Sequence, residues 1–370
     1  LIEGMTFTPC ACGVGENDGT LAQPQRRVHA SQLPLAYIED GLDRLSVASA
    51  YLDRGSSGNE RAWGILSNRS TPRKSMFSSL IANGKPATPD GPELIVPWWS
   101  FTKTVLAATA LSLVRDGLLQ LDSPVPERVF TLRQLLRHEA GLADYGELAE
   151  YHAAVAHNEP AWPAAEMLQR LDGARLRYAP GTHWRYSNLG YLLVGRLIER
   201  VTDLELGDAV TQRVLAPLGV SNVRFAKTAA DLQVTAAGNA SNYDPAWVYH
   251  GLLIGPISQA ALFLDRLLSG QLFSAGLLQE MQTVRTLGGP IPGRPWIEPG
   301  YGLGLMQGSI EGGFLLGGHT GCGPGSVIAV YRIGDGNTSA CCAAFAAGAS
   351  EGAVETQVAE RLVQVLRRGC

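Results

Sequence analysis

Several features that would assign this chain to a common functional class are scarce or absent. Its 370 residues contain six cysteines and no Cys-x-x-Cys pair, too few for a disulfide scaffold. Cys10 and Cys12 stand in a glycine-rich N-terminal stretch, and Cys341 and Cys342 on a strand point to opposite faces. Free thiols in a reducing compartment are therefore expected. Lys+Arg 30 against Asp+Glu 34 gives a net charge of -4 with no run of one sign, so a nucleic-acid or anionic-membrane partner is not expected. The longest apolar-leaning stretch, Thr104 to Val114, is too short for roughly 30 Å of hydrocarbon. No Gly-x-Gly-x-x-Gly or Gly-x-x-x-x-Gly-Lys loop occurs, and His138-Glu139 lacks a second histidine four residues on. His152 and His157 have no nearby cysteines. Neither a metal nor a nucleotide cofactor is expected. The N-terminus shows no charged-then-apolar secretory pattern, so a cytoplasmic protein is expected, or a periplasmic or secreted one if a signal has been removed.

Hydrophobic residues at 45% and charged residues at 17% predict a folded chain with a sizeable core. Leu35, Ile38, Leu42, Leu45 and Val47 predict a helix within 33–54, followed by short strands at 61–66 and 76–81 that form a hairpin. Near the other end, Ser326 to Ile333 and Thr338 to Ala347 flank Gly334-Asp335-Gly336-Asn337, a hairpin signal, with more strand at Phe314 to Leu316. Val354, Val358, Leu362 and Val365 predict a closing helix. Between the ends, 100–289 is mostly helical, with helices predicted at Thr104 to Arg115, stopped at Gly117, and at Leu189 to Val201. No internal repeat or low-complexity tract is present.

Of the thirty basic residues only four are lysines, and Lys103 follows Ser100 by three positions at the start of an Ala/Leu-rich helix. One helical turn brings an amine within reach of the hydroxyl. Burial disfavours the ammonium, and the neutral amine can then accept the serine proton during attack on an acyl carbon. A second element, Tyr186-Ser187-Asn188, precedes the amphipathic helix. Its phenol can relay a proton if nearby cations favour the ionised form, and its amide can hold both lysine and substrate. A third, Gly318-His319-Thr320-Gly321-Cys322-Gly323, leads into the strand at Ser326, its glycines allowing close approach of backbone to an extended ligand. Each alone is ordinary, a cap or a core histidine. Their joint order and spacing are not. Gly348-Ala349-Ser350-Glu351-Gly352 matches a nucleophile elbow, but no histidine follows Ser350, so this match is a turn.

Ser100-x-x-Lys103, Tyr186-x-Asn188 and His319-Thr320-Gly321 resemble the three motifs of the penicillin-recognising serine hydrolases, in the branch of class C β-lactamases, D-alanyl-D-alanine carboxypeptidases, D-amino-acid amidases and related esterases. Leu135 to Leu142, Ala216-Pro217-Leu218-Gly219 and Gly300 to Gly304 resemble supporting segments of that branch. The resemblance implies an α+β, β-lactamase-like (transpeptidase-like) fold. An antiparallel sheet domain would come from 1–100, with 1–30 mobile, and 290–370, beside a mostly helical domain at 101–289, with the active site in the cleft between them. It further implies that Ser100 is acylated, that Lys103 and Tyr186 share acid-base work, that Asn188, Thr320 and Gly321 bind substrate, and that the backbone N–H groups of Ser100 and Cys322 form the oxyanion hole. His319 would be a polar, sometimes cationic wall. Relatives with lysine there carry a permanent carboxylate anchor, whereas histidine is only partly charged near pH 7. The expected activity is hydrolysis of small amides, short peptides with D-residues, or esters. The alternatives are a carboxypeptidase or class C-like β-lactamase, and a non-catalytic β-lactam or peptidoglycan sensor. The expected partner is a small molecule or short peptide; oligomeric state is left open.

Overall fold

The strands near the C-terminus form most of the main sheet. The computed structural model describes residues 76–87, 93–236 and 242–369, all within a single unit spanning Tyr51–Cys370. Its main sheet is antiparallel and contains β1 (Met76–Ala82), β2 (Lys85–Pro86), β6 (Arg285–Thr286), β7 (Trp296–Tyr301), β8 (Met306–Ile310), β9 (Leu315–Gly323), β10 (Ser326–Gly334) and β11 (Ser339–Ala347), in the order β2-β1-β11-β10-β9-β8-β7-β6. Thus β1 from the N-terminal side pairs with β11, Met76 opposite Ala346. The β10–β11 turn has Gly336 at φ +94°, while Asp335 Oδ1 accepts the N–H groups of Asn337 and Thr338 at 2.9 and 2.8 Å. That Asx turn fixes the register. The helix expected within 33–54, the strand at 61–66, and Cys10 and Cys12 lie outside the described residues.

A period of two divides the sheet between two layers. Val327, Ala329, Tyr331 and Ile333 on β10, with Ala340, Cys342, Ala344 and Ala346 on β11, face α10 (Glu351–Gly369) through Val354, Val358, Leu362 and Leu366. Ile328, Val330, Cys341, Ala343 and Phe345 join the core on the other face. Each buried Val, Ile, Leu or Phe among them contributes about 1.5–3 kcal/mol. Cys341 and Cys342 therefore occupy opposite layers, as their adjacency predicts, and both are free.

The middle of the chain contributes α1 (Thr102–Arg115), α2 (Leu132–Leu136), α3 (Ala149–Ala156), α4 (Ala164–Arg170), α5 (Asn188–Thr202), α6 (Leu206–Val210), α7 (Ala229–Gln233), α8 (Ile257–Leu268) and α9 (Ala275–Gln282). From Thr102 to Leu113 every residue of α1 is buried, the mark of a helix enclosed by core. It ends at Gly117, φ +74°. The sequence reading missed a three-stranded sheet of β3 (Ile95–Pro97), β5 (Leu253–Pro256) and β4 (Arg224–Phe225) in the order β3-β5-β4. Strands of two to four residues are too short for alternation to register. Among the described residues no helix is long and apolar enough to cross a membrane.

Candidate active site

Ser100 lies in a 3-10 turn, Trp99–Phe101, directly before α1. The neighbouring Trp98, Trp99 and Phe101 are all buried, so the turn is held by large rings on each side. Trp99 sits at φ +41°, a costly conformation for a bulky residue. It is clamped by a hydrogen bond from its Nε1 to Ser326 Oγ at 3.0 Å and by edge contact with Tyr243 at 5.8 Å. Strand β9 lies against this turn. A Cβ on Gly321 would stand 2.7 Å from Ser100 N and from Trp98 O, so only glycine lets the third motif approach the nucleophile turn this closely.

Lys103 is fully buried, and its Nζ donates to Ser100 Oγ at 3.1 Å. The same Nζ lies 3.2 Å from His250 Nε2 and 4.9 Å from the Tyr186 ring centroid. Burial lowers the lysine pKa to about 7, opposed by the Asp144 carboxylate. Near neutral pH the amine is therefore divided between its free-base and ammonium forms.

Tyr186 and Asn188 are placed by the segment that contains His138. Ser187 caps α5 by accepting the Gly190 N–H at 3.0 Å and donates its hydroxyl to Ala143 O at 2.7 Å. Its own N–H donates to His138 Nδ1 at 3.1 Å, and the His138 ring lies 4.3 Å from that of Tyr186. Asn188 directs its side-chain nitrogen to Asp144 Oδ1 and Oδ2 at 3.0 and 3.3 Å. Burial raises the Asp144 pKa against these hydrogen bonds and the charge of Lys103. Burial also raises the Tyr186 phenol well above its ordinary range, with the hydrogen bond to Ser100 pulling the other way. The ionised phenol considered from sequence needs a nearby cation; the Lys103 Nζ stands 4.9 Å from the ring centroid, and burial acts against it in favour of the neutral hydroxyl.

Two third-motif expectations are also corrected. His319 is 1% exposed, and burial, with Lys103 nearby, lowers its pKa to about 3. Its Nδ1 donates to the Thr320 carbonyl at 2.6 Å, so Nε2 accepts from the Tyr301 hydroxyl at 2.9 Å. It is a neutral, internally bonded residue and not a cationic wall. Thr320 turns away from the cleft: its hydroxyl bonds Tyr331 OH at 2.7 Å and donates to Glu355. The register explains both. His319 opposes Val330, whereas Thr320 opposes Ala329 on the α10 face. We expect Thr320→Val to leave KM and kcat within about twofold while lowering stability by about 1–3 kcal/mol through the lost bond to Glu355. Thermal melts and steady-state kinetics check this, and a raised KM would return the hydroxyl to the substrate.

Asp144 and His250, both buried in this cluster, were not found from the sequence, since neither belongs to a local motif. Trp247 and Tyr249 serve packing. Trp247 is 1% exposed and donates to Glu159 O at 2.9 Å, and Tyr249 donates to Trp162 O at 2.9 Å. Cys322 is an exposed residue on β9, next to Gly321.

This geometry agrees with the comparisons. A family model described as Beta-lactamase matches residues 36–341, and the chain belongs to that family. It is 30% identical over 155 residues to a lovastatin esterase of Penicillium rubens, a match covering 34% of this chain and 38% of that protein. To Esterase EstB of Burkholderia gladioli it is 32% identical over 148 residues, covering 34% and 37%. The chain thus spans under two fifths of the length of these curated relatives. Among solved structures, a D-stereospecific amidohydrolase from Streptomyces sp. aligns at TM-score 0.63 and 27% identity, covering 77% of this chain and 94% of that one. D-amino acid amidase from Ochrobactrum anthropi SV3 aligns at TM-score 0.65 and 21% identity, covering 79% and 95%. The fold is the α+β, β-lactamase-like arrangement.

Proposed function

We propose that the protein is a serine hydrolase that forms an acyl-enzyme at Ser100 and acts on small esters or amides, including those of D-amino acids. The observation that carries this reading is the buried Lys103 amine 3.1 Å from the Ser100 hydroxyl. Ser100 Oγ attacks the substrate carbonyl carbon while its proton passes to neutral Lys103. The developing oxyanion is received by the backbone N–H groups of Ser100 and Cys322. Tyr186, held protonated by burial, donates its proton to the leaving oxygen or nitrogen and recovers one from the Lys103 ammonium. Water then attacks the ester, giving its proton to Lys103, which passes it to Ser100 Oγ as that oxygen leaves as the hydroxyl. Asn188, its nitrogen committed to Asp144, offers its carbonyl oxygen to a substrate N–H.

The neutrality of His319 supplies no anchor for a substrate carboxylate, which favours esters and amides over penicillins and peptides ending in a free carboxylate. The names of the esterase and amidohydrolase relatives agree with that preference.

Incubation with a fluorophosphonate is expected to add one adduct by intact mass, mapped to Ser100 and absent from Ser100→Ala. In parallel, a chromogenic ester and a D-amino-acid amide are expected to turn over faster than a penicillin. Labelling elsewhere refutes the nucleophile, and a long-lived penicillin adduct favours the sensor.

A further inference from the structure

His250 lies beside the amine although it belongs to none of the three motifs. Its Nε2 is 3.2 Å from Lys103 Nζ, the residue is 3% exposed, and its Nδ1 is buried without a hydrogen-bond partner. Burial and the charge of Lys103 hold its pKa well below the ordinary histidine value, with His138 and His319 acting in the same direction. The ring is therefore neutral and carries a single proton. Two basic nitrogens this close do not both bear charge.

We propose that His250 is a positioning residue for the Lys103 amine, its Nε2 accepting one Nζ–H so that the amine lone pair is turned toward Ser100 Oγ. The inference rests on the reading of Lys103 as the base. A neutral amine has two N–H groups and one lone pair at the end of a flexible stem. Nζ lies 3.1 Å from Ser100 Oγ, 3.2 Å from His250 Nε2 and over the face of the Tyr186 ring, with the Tyr191 ring farther off at 5.8 Å. With one N–H on the imidazole and one over the ring, the lone pair meets the Ser100 hydroxyl. When the serine proton arrives, the resulting ammonium keeps the same three directions, so base and conjugate acid interconvert without reorganisation. The imidazole proton then sits on Nδ1. A buried N–H without a partner costs stability, and a residue serving packing alone would be better apolar.

The groups around Lys103 that bear on its titration are Asp144, Ser100, His250, the Tyr186 and Tyr191 rings, and, at longer range, His138 and His319. None of these others offers Nζ the imidazole acceptor that His250 supplies. Removing that acceptor destabilises the ammonium and moves the acid limb of the rate to lower pH.

The test is the pH profile of kcat/KM, and of the fluorophosphonate labelling rate at Ser100, for His250→Leu and His250→Gln. His250→Leu is expected to lose about 10–100-fold in kcat with KM nearly unchanged, and its acid limb to fall by about one pH unit. His250→Gln, whose amide oxygen reaches Nζ, is expected to stay within about fivefold of wild type with a limb close to wild type. If the leucine variant does not fold, His250→Asn, too short to reach Nζ, takes its place. Wild-type rate and limb in the leucine variant overturn the proposal, as do equal losses in both variants with an unmoved limb. Should Lys103→Met also remain active, it is the reading of the base that fails. A dead Lys103→Met beside an unaffected His250→Leu overturns the His250 inference alone.

Discussion

Replacing Lys103 by methionine is expected to lower kcat/KM by about four orders of magnitude, the upper end of what a positioned general base contributes, while leaving the protein folded. Lys103→Arg is the sharper variant, because a guanidinium keeps the positive charge but does not deprotonate in a protein. If the amine acts as a base, arginine is as inactive as methionine. Were it a fixed charge for substrate, arginine would retain most of the activity and the proton assignment would fall. The wild-type profile carries the same information. With the pKa lowered to about 7 by burial, kcat/KM should rise through neutral pH to a plateau. At two units below that pKa about 1% of the amine is neutral, so the rate there should be about 100-fold under the plateau. Stability should rise with pH as activity does, over a window that reaches up to the unfolded pKa. The folded pKa lies below the unfolded 10.5, so between pH 7 and 10.5 the unfolded chain binds more protons and stability rises with pH. Below about pH 7 the wild type carries the whole cost of burying the amine, and above 10.5 none of it. Methionine removes that cost, on the order of a few kcal/mol at neutral pH, although Asp144 loses its cationic neighbour and offsets part of the gain. Melting curves at pH 7 and 10.5 test the sign: the difference between variant and wild type should shrink at the higher pH.

The features legible in the sequence were those written in short periods. The β10–β11 hairpin and α10 appear as alternation and as a helical stripe, and the placement of Cys341 and Cys342 in different layers follows from adjacency alone. Ser100 and Lys103 are three residues apart, so helical geometry brings them together without knowledge of the rest of the fold. The contact of Lys103 with His250 spans 147 positions and leaves no local trace. Strand β9 is intermediate. Its glycines announce close backbone approach, which Gly321 makes against Ser100. The flanks of His319-Thr320 carry no apolar alternation, however, so the sequence does not tell which side chain faces the cleft. Pairing with β10 decides it. Nor does sequence reveal that His319 is neutral, since that depends on the burial that the folded chain imposes.

Glu355→Ala is expected to be among the most destabilising substitutions outside the site, at about 3–5 kcal/mol, or roughly 10 °C in Tm for a chain of this size. The Glu355 side chain is wholly buried on α10 and pairs with Arg294 through both carboxylate oxygens, Arg294 Nε donating to Oε2 at 2.7 Å and Nη2 to Oε1. Thr320 also donates to Oε1, and the Tyr331 hydroxyl, 3.1 Å from Oε1, shares its one proton between that oxygen and Thr320. Truncation leaves a largely buried guanidinium with only its longer, 3.6 Å pair to Glu351, takes an acceptor from two hydroxyls, and opens a cavity between α10 and the sheet. The double variant Arg294→Leu, Glu355→Leu should recover much of the loss, because the penalty lies in the unpaired charge and not in the absence of the pair. Activity separates this cluster from simple cohesion. Glu355 ties Arg294, Thr320 and Tyr331 to α10 at once, so its loss loosens the strand segment pressed against the Ser100 turn, whereas Thr320→Val leaves the Arg294 and Tyr331 bonds to Glu355 in place. Folded Glu355→Ala, assayed well below its melting temperature, should therefore lose kcat by several-fold with little change in the pH limb set by Lys103, since misplacement of reacting groups lowers rate without altering the base. An unchanged kcat would mean that the Trp98–Phe101 packing alone holds β9 against the nucleophile.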